Sequence, residues 1–326
     1  MTTITVLIIL ALIFNFLNGF HDSSNIVATI IFSKALSPRK ALWLIAIAEF
    51  CGPFIFGVAV AKAIGEGIVN PASISNEVIL AALLSAIIWN LVTWLLGIPS
   101  SSSHALIGGL LGAVTISVEY TFLLIPGILK ILIALFASPF IGLAAGFLIT
   151  RLVYFLSRNA SLKINWFFKN AQILTGVGLA LSHGANDAQK TMGIITMGLI
   201  INNYQSEFLV PTWVIGLSAL AMALGTVMGG WRLIRTLGAK FYKIRPVHGI
   251  CSQIAATSVI LGAALVGGPV STTQVVSSAI MGVGSADRIN KVRWGVAGSI
   301  ATAWFLTIPV TAFLSAGLYL LIANIM

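Results

Sequence analysis

The chain has 326 residues, 58% of them hydrophobic and 8% charged, with a net charge of +10 and a mean hydropathy of +1.04. That composition excludes a soluble domain, and successive apolar runs of about 20 residues are those of an all-α polytopic membrane protein. The runs are continuous rather than alternating, which argues against a β-barrel, and the basic residues sit in short loops with no aromatic-interleaved face, so no nucleic-acid partner is expected.

Residues 1–14 are apolar but lack a basic leader and a small-residue cleavage site, so they read as the first helix. They run into Asn18-Gly19-Phe20-His21-Asp22-Ser23-Ser24-Asn25, which plants a carboxylate inside apolar sequence. Such a group costs roughly 2.5–3.5 kcal/mol near a bilayer centre and is ordinarily kept for ion or substrate work. Gly19 permits unwound backbone, and Asp22 with Asn25 offers hard oxygen ligands suited to Na⁺ or to holding a proton. A plainer reading has the aspartate capping a half-helix.

After Lys34, Arg39 and Lys40, the span from Trp43 to Val60 carries Glu49, a third intramembrane acid, which could couple protons or pair with a cation such as Lys62. Residues 78–118 then lie between a loop with Glu66 and Glu77 and a loop with Glu119, so they enter and return as a helical hairpin. Its tip reads Ile98-Pro99-Ser100-Ser101-Ser102-Ser103-His104. Proline removes an amide donor and disfavours helix before it, and the hydroxyls and free amides that follow make a helix N-terminus able to take an anion. The rival reading is that the serines only cap and pack.

A basic segment with Arg151, Arg158, Lys163 and Lys169 follows, and the design then repeats. Asp22 and Asp187 stand 165 residues apart, while Trp43 and Trp213, Pro99 and Pro269, and Pro139 and Pro309 each stand 170 apart. The halves are 1–160 and 161–326, a two-fold duplication rather than a solenoid. The second motif is His183-Gly184-Ala185-Asn186-Asp187-Ala188-Gln189-Lys190, where Gly184 again permits unwound backbone and Lys190 replaces Asn25. An ammonium there could neutralise Asp187, fill a cation position or face an anion. The second tip reads Gly268-Pro269-Val270-Ser271-Thr272-Thr273-Gln274. Opposed tips could surround one oxyanion with Ser101, Ser102, Ser103, Ser271, Thr272 and Thr273. His21, His183 and His104 could relay protons, though a lone intramembrane histidine is more often a satisfied hydrogen-bonder.

Loop charges reverse between the halves. Lys34, Arg39 and Lys40 are matched by Glu207; Glu66 and Glu77 by Arg232, Arg235, Lys240, Lys243 and Arg245; Glu119 by Arg288, Lys291 and Arg293 together with Asp287. Basic loops face the cytoplasm, so the pattern predicts two inverted-topology repeats with discontinuous helices and paired helical hairpins, both termini outside. Cys51 and Cys251 have no CxxC partner and indicate neither a disulfide framework nor a metal site. No nucleotide-binding or hydrolase motif is present, and Ser103-His104 lacks a third member, so no enzyme is expected. An anion channel would not set Asp22 and Asp187 beside its anion, since they repel it without a bound co-ion.

The Gly19-Phe20-His21-Asp22-Ser23-Ser24-Asn25 element, its partial copy Gly184-Ala185-Asn186-Asp187, the Pro-x-Ser/Thr runs and the Glu49 segment together resemble the inorganic phosphate transporter (PiT) family over nearly the whole chain. The resemblance implies a secondary symporter of the bacterial plasma (inner) membrane, importing inorganic phosphate with H⁺ or Na⁺ and using no cofactor. It implies that Asp22, Asn25, Asn186 and Asp187 serve the ion and substrate site, and that the two Ser/Thr runs hold the phosphate oxygens. Lys190 departs from the sodium-type pattern, which has Asn there, and a fixed cation favours proton coupling. A metal–phosphate complex as cargo would fit related bacterial members, and sulfate is carried by some. A homodimer stays open on these residues.

Overall fold

In hydrocarbon every backbone polar group must be satisfied internally, so the apolar runs fold as helices. The computed structural model describes residues 3–98, 100–118, 122–161, 163–229 and 245–325. Within them lie α1 (Thr3–Phe32), α2 (Pro38–Phe56), α3 (Ala59–Gly67), α4 (Asn76–Leu96), α5 (Ser102–Ser117), α6 (Ile125–Leu156), α7 (Ile164–Ile201), α8 (Thr212–Met228), α9 (Pro246–Leu265), α10 (Thr272–Asp287) and α11 (Trp294–Ile325). Pro99, Glu119, Arg232, Arg235, Lys240 and Lys243, which the loop and tip arguments used, lie outside the described residues.

Five of these helices are long and apolar enough to cross a membrane, and α2 with α3 adds a broken span bent by 74°. Helix α7 is not among the five because its middle is polar. Large apolar side chains point outward, Phe140, Leu174 and Phe313 among them, while Asp22, Glu49, Asp187 and Lys190 are buried. Only lipid makes that arrangement favourable.

The two inverted repeats interlock. Helix α1 packs on α8 and α7 on α2; α5 packs on α11 and α10 on α6. Each pairing thus has its mirror with the halves exchanged. Both hairpins turn the same way: Gly97 and Gly267 take left-handed φ values of 68° and 70°, and Ser101 and Ser271 cap α5 and α10 by accepting from the amides of His104 and Gln274.

The discontinuous helix lies elsewhere than the aspartate motifs. Helices α1 and α7 run unbroken through Gly19–Asn25 and Gly184–Lys190. The glycines serve packing instead: a β-carbon at Gly19 would lie 2.1 Å from the Met222 carbonyl oxygen, and one at Gly184 would lie 2.1 Å from that of Glu49. Small residues at such crossings let membrane helices touch backbone to backbone. The break falls between α2 and α3, where Pro53 and Gly57 weaken the helix. Gln189 of α7 fills it, accepting from Val60 N (2.7 Å) and Ala61 N (3.2 Å) and donating to the Gly57 carbonyl (2.6 Å).

The α10–α6 crossing is equally tight, since a β-carbon at Gly282 would lie 2.1 Å from the Leu143 carbonyl oxygen, whereas Gly216 has open space around it. Gly282→Val should destabilise the purified protein by about 1–3 kcal/mol in detergent melting, and Gly216→Ala should leave the melt unchanged. Equal melts for the two variants would contradict this packing.

Candidate functional site

The sequence places a polar face midway along α1 and another midway along α7, and the hairpin tips deliver Ser/Thr hydroxyls to both. All twelve expected site residues are buried (Asp22, Asn25, Glu49, Ser101–Ser103, Asn186, Asp187, Lys190 and Ser271–Thr273). The tips also meet each other, Ser103 Oγ donating to the Val270 carbonyl at 3.0 Å.

The two halves build the same bridge with different chemistry. Asn25 Nδ2 spans from Asp22 Oδ1 (2.9 Å) to Thr273 Oγ1 (3.0 Å). Lys190 Nζ spans from Asp187 Oδ1 to Ser103 Oγ and also donates to the Val270 carbonyl at 3.0 Å. At the repeat spacing Asn25 matches Lys190, Asp22 matches Asp187 and Thr273 matches Ser103. The second tip crosses the boundary: Thr273 Oγ1 donates to Asp22 Oδ1 (2.6 Å), and Thr272 Oγ1 lies 3.2 Å from Asp22 Oδ2 and 2.8 Å from Asp187 Oδ2. Asn186 grips the second turn through the Gly268 carbonyl (3.2 Å) and Val270 N (3.3 Å). Ser101 and Ser271 act as helix caps, and Ser101 Oγ also lies 2.7 Å from His104 Nδ1.

His183 joins the cluster to the third acid. Its Nε2 lies 3.5 Å from Asp22 Oδ2 and 3.2 Å from Asp187 Oδ2, and its Nδ1 lies 2.8 Å from Glu49 Oε1. Thr226 Oγ1 donates to Glu49 Oε2 and sits 3.2 Å from the Gly19 carbonyl. Glu49 therefore pairs with His183 and Thr226, not with Lys62, which lies 3.8 Å from Glu66 at the surface. Asp22, His183 and Asp187 offer ligand atoms within 4.8 Å of one another, a group able to hold a small cation or a shared proton.

Sequence reading gave His183 too little weight and gave Gln189, Thr226 and Asn18 no role. A signal was available for His183. Its repeat counterpart is Asn18, and the counterpart of Glu49 is Ala219. The histidine and the acid depart from the repeat together, as partners do.

That pairing has a measurable consequence. Glu49→Ala strands His183 Nδ1 at a cost of about 1–3 kcal/mol, while the Thr226 hydroxyl keeps the Gly19 carbonyl. Glu49→Ala combined with His183→Asn restores the residue types of the other half. The double variant should melt higher than the sum of the two single losses requires, by an amount worth roughly 0.5–3 kcal/mol; strictly additive losses would count against the dyad.

The phosphate transporter family matches the chain twice, over residues 18–168 and 157–315. A probable low-affinity inorganic phosphate transporter of Bacillus subtilis (strain 168) is 45% identical over 324 residues, covering 98% of this chain and 97% of that protein. One of the same description from Rhizobium meliloti (strain 1021) is 44% identical over 315 residues, covering 96% and 94%. Among solved structures, one described as the sodium-dependent phosphate transporter superposes with a TM-score of 0.91 at 25% identity, over 100% of both chains. With its doubled motifs, interlocked repeats and a polar centre enclosed by lipid-facing helices, the chain belongs to the phosphate transporter family.

Proposed function

We propose that the chain imports inorganic phosphate as a secondary symporter of the plasma membrane, working by alternating access between the repeats 1–160 and 161–326, with both termini outside. The observation that carries this reading is the meeting of both hairpin tips with Asp22, Asp187, Lys190 and His183 in one buried cluster. Hydroxyls and helix N-termini of Ser101–Ser103 and Ser271–Thr273 suit phosphate oxygens. Asp22, Asn25, Asn186, Asp187, Lys190 and Glu49 form the cation side of the same centre.

Electrostatics makes a co-ion necessary. Two like unit charges about 4 Å apart repel by roughly 4 kcal/mol at an effective dielectric of 20. Phosphate beside two bare carboxylates is therefore excluded until they are neutralised. The Lys190 ammonium pairs with Asp187, which leaves Asp22 for a transported cation to neutralise. The named relative is sodium-dependent, which supports a cation-driven cycle. In this chain, however, the Lys190 ammonium already takes Asp187 Oδ1, Ser103 Oγ and the Val270 carbonyl, three oxygens a Na⁺ would use. A tethered cation there favours H⁺ as the moving ion.

Proteoliposomes loaded under imposed H⁺ or Na⁺ gradients should concentrate labelled phosphate under the H⁺ gradient; uptake under neither gradient would refute symport. Comparing uptake with and without a divalent cation separates bare phosphate from a metal–phosphate complex, and sulfate outcompeting phosphate would overturn the substrate. Lys190→Asn should weaken H⁺-driven uptake and introduce Na⁺ dependence, whereas unchanged transport would remove Lys190 from the mechanism. Asp22→Asn should abolish coupled uptake while the protein still inserts; near-normal transport would eliminate its assigned role.

A further inference from the structure

The two hairpins share a turn but not a lining. At the repeat spacing of 170, Asn90, Thr93, Trp94 and Ser100 of the first hairpin correspond to Ile260, Ala263, Ala264 and Val270 of the second. Three polar positions and a tryptophan on one side are aliphatic on the other. Asn18 and Asn90 are wholly buried and His21 is 5% exposed. Yet Asn18 Nδ2, His21 Nε2 and both side-chain polar atoms of Asn90 have no hydrogen-bond partner among the described residues. These groups belong to one region: α1 packs against α4, Ser102 Oγ donates to Asn18 Oδ1 at 2.6 Å, Thr93 Oγ1 lies 2.7 Å from Ser100 Oγ, and the Phe20 and Trp94 rings stand 5.6 Å apart. The second tip is the reverse case, with the Thr272 and Thr273 hydroxyls engaged by carboxylates.

A buried polar group without a partner costs about 1–3 kcal/mol, so such groups persist where something else completes them. Carboxylates repel an anion, and the hydroxyls they hold are unavailable to it. Neutral N–H donors attract it. Asn90 adds a further property, because an unpaired amide offers both a donor and an acceptor whichever way the amide is turned. Hydrogen phosphate carries an O–H and needs an acceptor, whereas sulfate has no proton to give. A site built to bond a substrate hydroxyl rejects the analogue that lacks it.

We infer that phosphate is held off-centre, against the first hairpin, with Asn90, Asn18 and His21 joining the serine tip around its oxygens and Asn90 selecting phosphate over sulfate, while the Thr272–Thr273 tip serves the coupling cation. This rests on the phosphate-symport reading and narrows it, because the Thr272 and Thr273 hydroxyls given to phosphate there are held by Asp22 and Asp187 and pass here to the coupling cation.

The test is uptake by proteoliposomes of full-length protein, reading KM for phosphate, KM for the coupling cation and inhibition by sulfate. Asn90→Ile installs the residue of the second hairpin. It should raise the phosphate KM about tenfold, keep the cation KM within about twofold, and make sulfate a better competitor. Thr273→Val should do the opposite, raising the cation KM more than the phosphate KM. His21→Phe keeps the ring's bulk, removes its nitrogens and should raise the phosphate KM as Asn90→Ile does, giving an independent reading if that variant does not fold. An unchanged phosphate KM in a folded Asn90→Ile or His21→Phe protein overturns the inference, as do equal rises in both constants. Absence of phosphate uptake by the unsubstituted protein would instead refute the symport reading.

Discussion

The ion pair of Lys190 with Asp187 is the constraint around which the rest is arranged. Both side chains are essentially inaccessible, at 1% and 0% exposure, and an uncompensated buried charge costs several kcal/mol. One ammonium has three protons, and each finds an oxygen: the Asp187 carboxylate, the Ser103 hydroxyl and the Val270 carbonyl. Two of those acceptors belong to different hairpin tips. Satisfying the lysine therefore draws both tips together at the centre of the protein. The hairpins need not be held there by apolar contacts alone.

The same constraint explains why α1 and α7 stay helical. A carboxylate on an intact helix has its neighbours fixed three and four residues away in either direction, and each motif exploits this. Asp22 meets Asn25, and Asp187 meets Lys190 and His183. Unwinding either helix would free backbone groups that hydrocarbon cannot satisfy. The break between α2 and α3 is tolerated because Gln189 supplies both an acceptor and a donor to the exposed backbone. Gln189 sits between Asp187 and Lys190 in sequence, so the helix that carries the charges also repairs the break.

Features written in local sequence were legible before the structure. Proline, glycine and hydroxyl runs dictate a turn and a helix start wherever they occur, and a doubled occurrence 170 residues apart marks them as a pair. Aspartate and lysine inside apolar runs announce themselves by their cost. Glycine was misread because its two uses, loosening backbone and permitting close approach, leave the same letter. Gly19 and Gly184 serve the second use. The partner of Glu49 was illegible by spacing, since His183 lies 134 residues away on a helix of the other half. Only the joint loss of repeat symmetry at Glu49 and His183 hinted at it.

Symmetry and its violations are divided between scaffold and site. Close helix crossings are mirrored: a β-carbon at Gly112 would meet the Ala312 carbonyl oxygen at 2.1 Å, and one at its counterpart Gly282 would meet that of Leu143 at the same distance. An inverted repeat with matched crossings would give two exchanged arrangements similar packing, as the proposed alternating access requires. Substrate chemistry cannot be symmetric in the same way, since an anion and a cation need opposite surroundings. Departures from the repeat at the centre include Lys190 for Asn25, His183 for Asn18, Glu49 for Ala219 and Asn90 for Ile260. In the proposed cycle the duplicated scaffold exchanges its two faces while its site keeps one polarity, with the carboxylates beside the second tip and, beside the first, Asn18, His21 and Asn90 atoms that have no partner among the described residues.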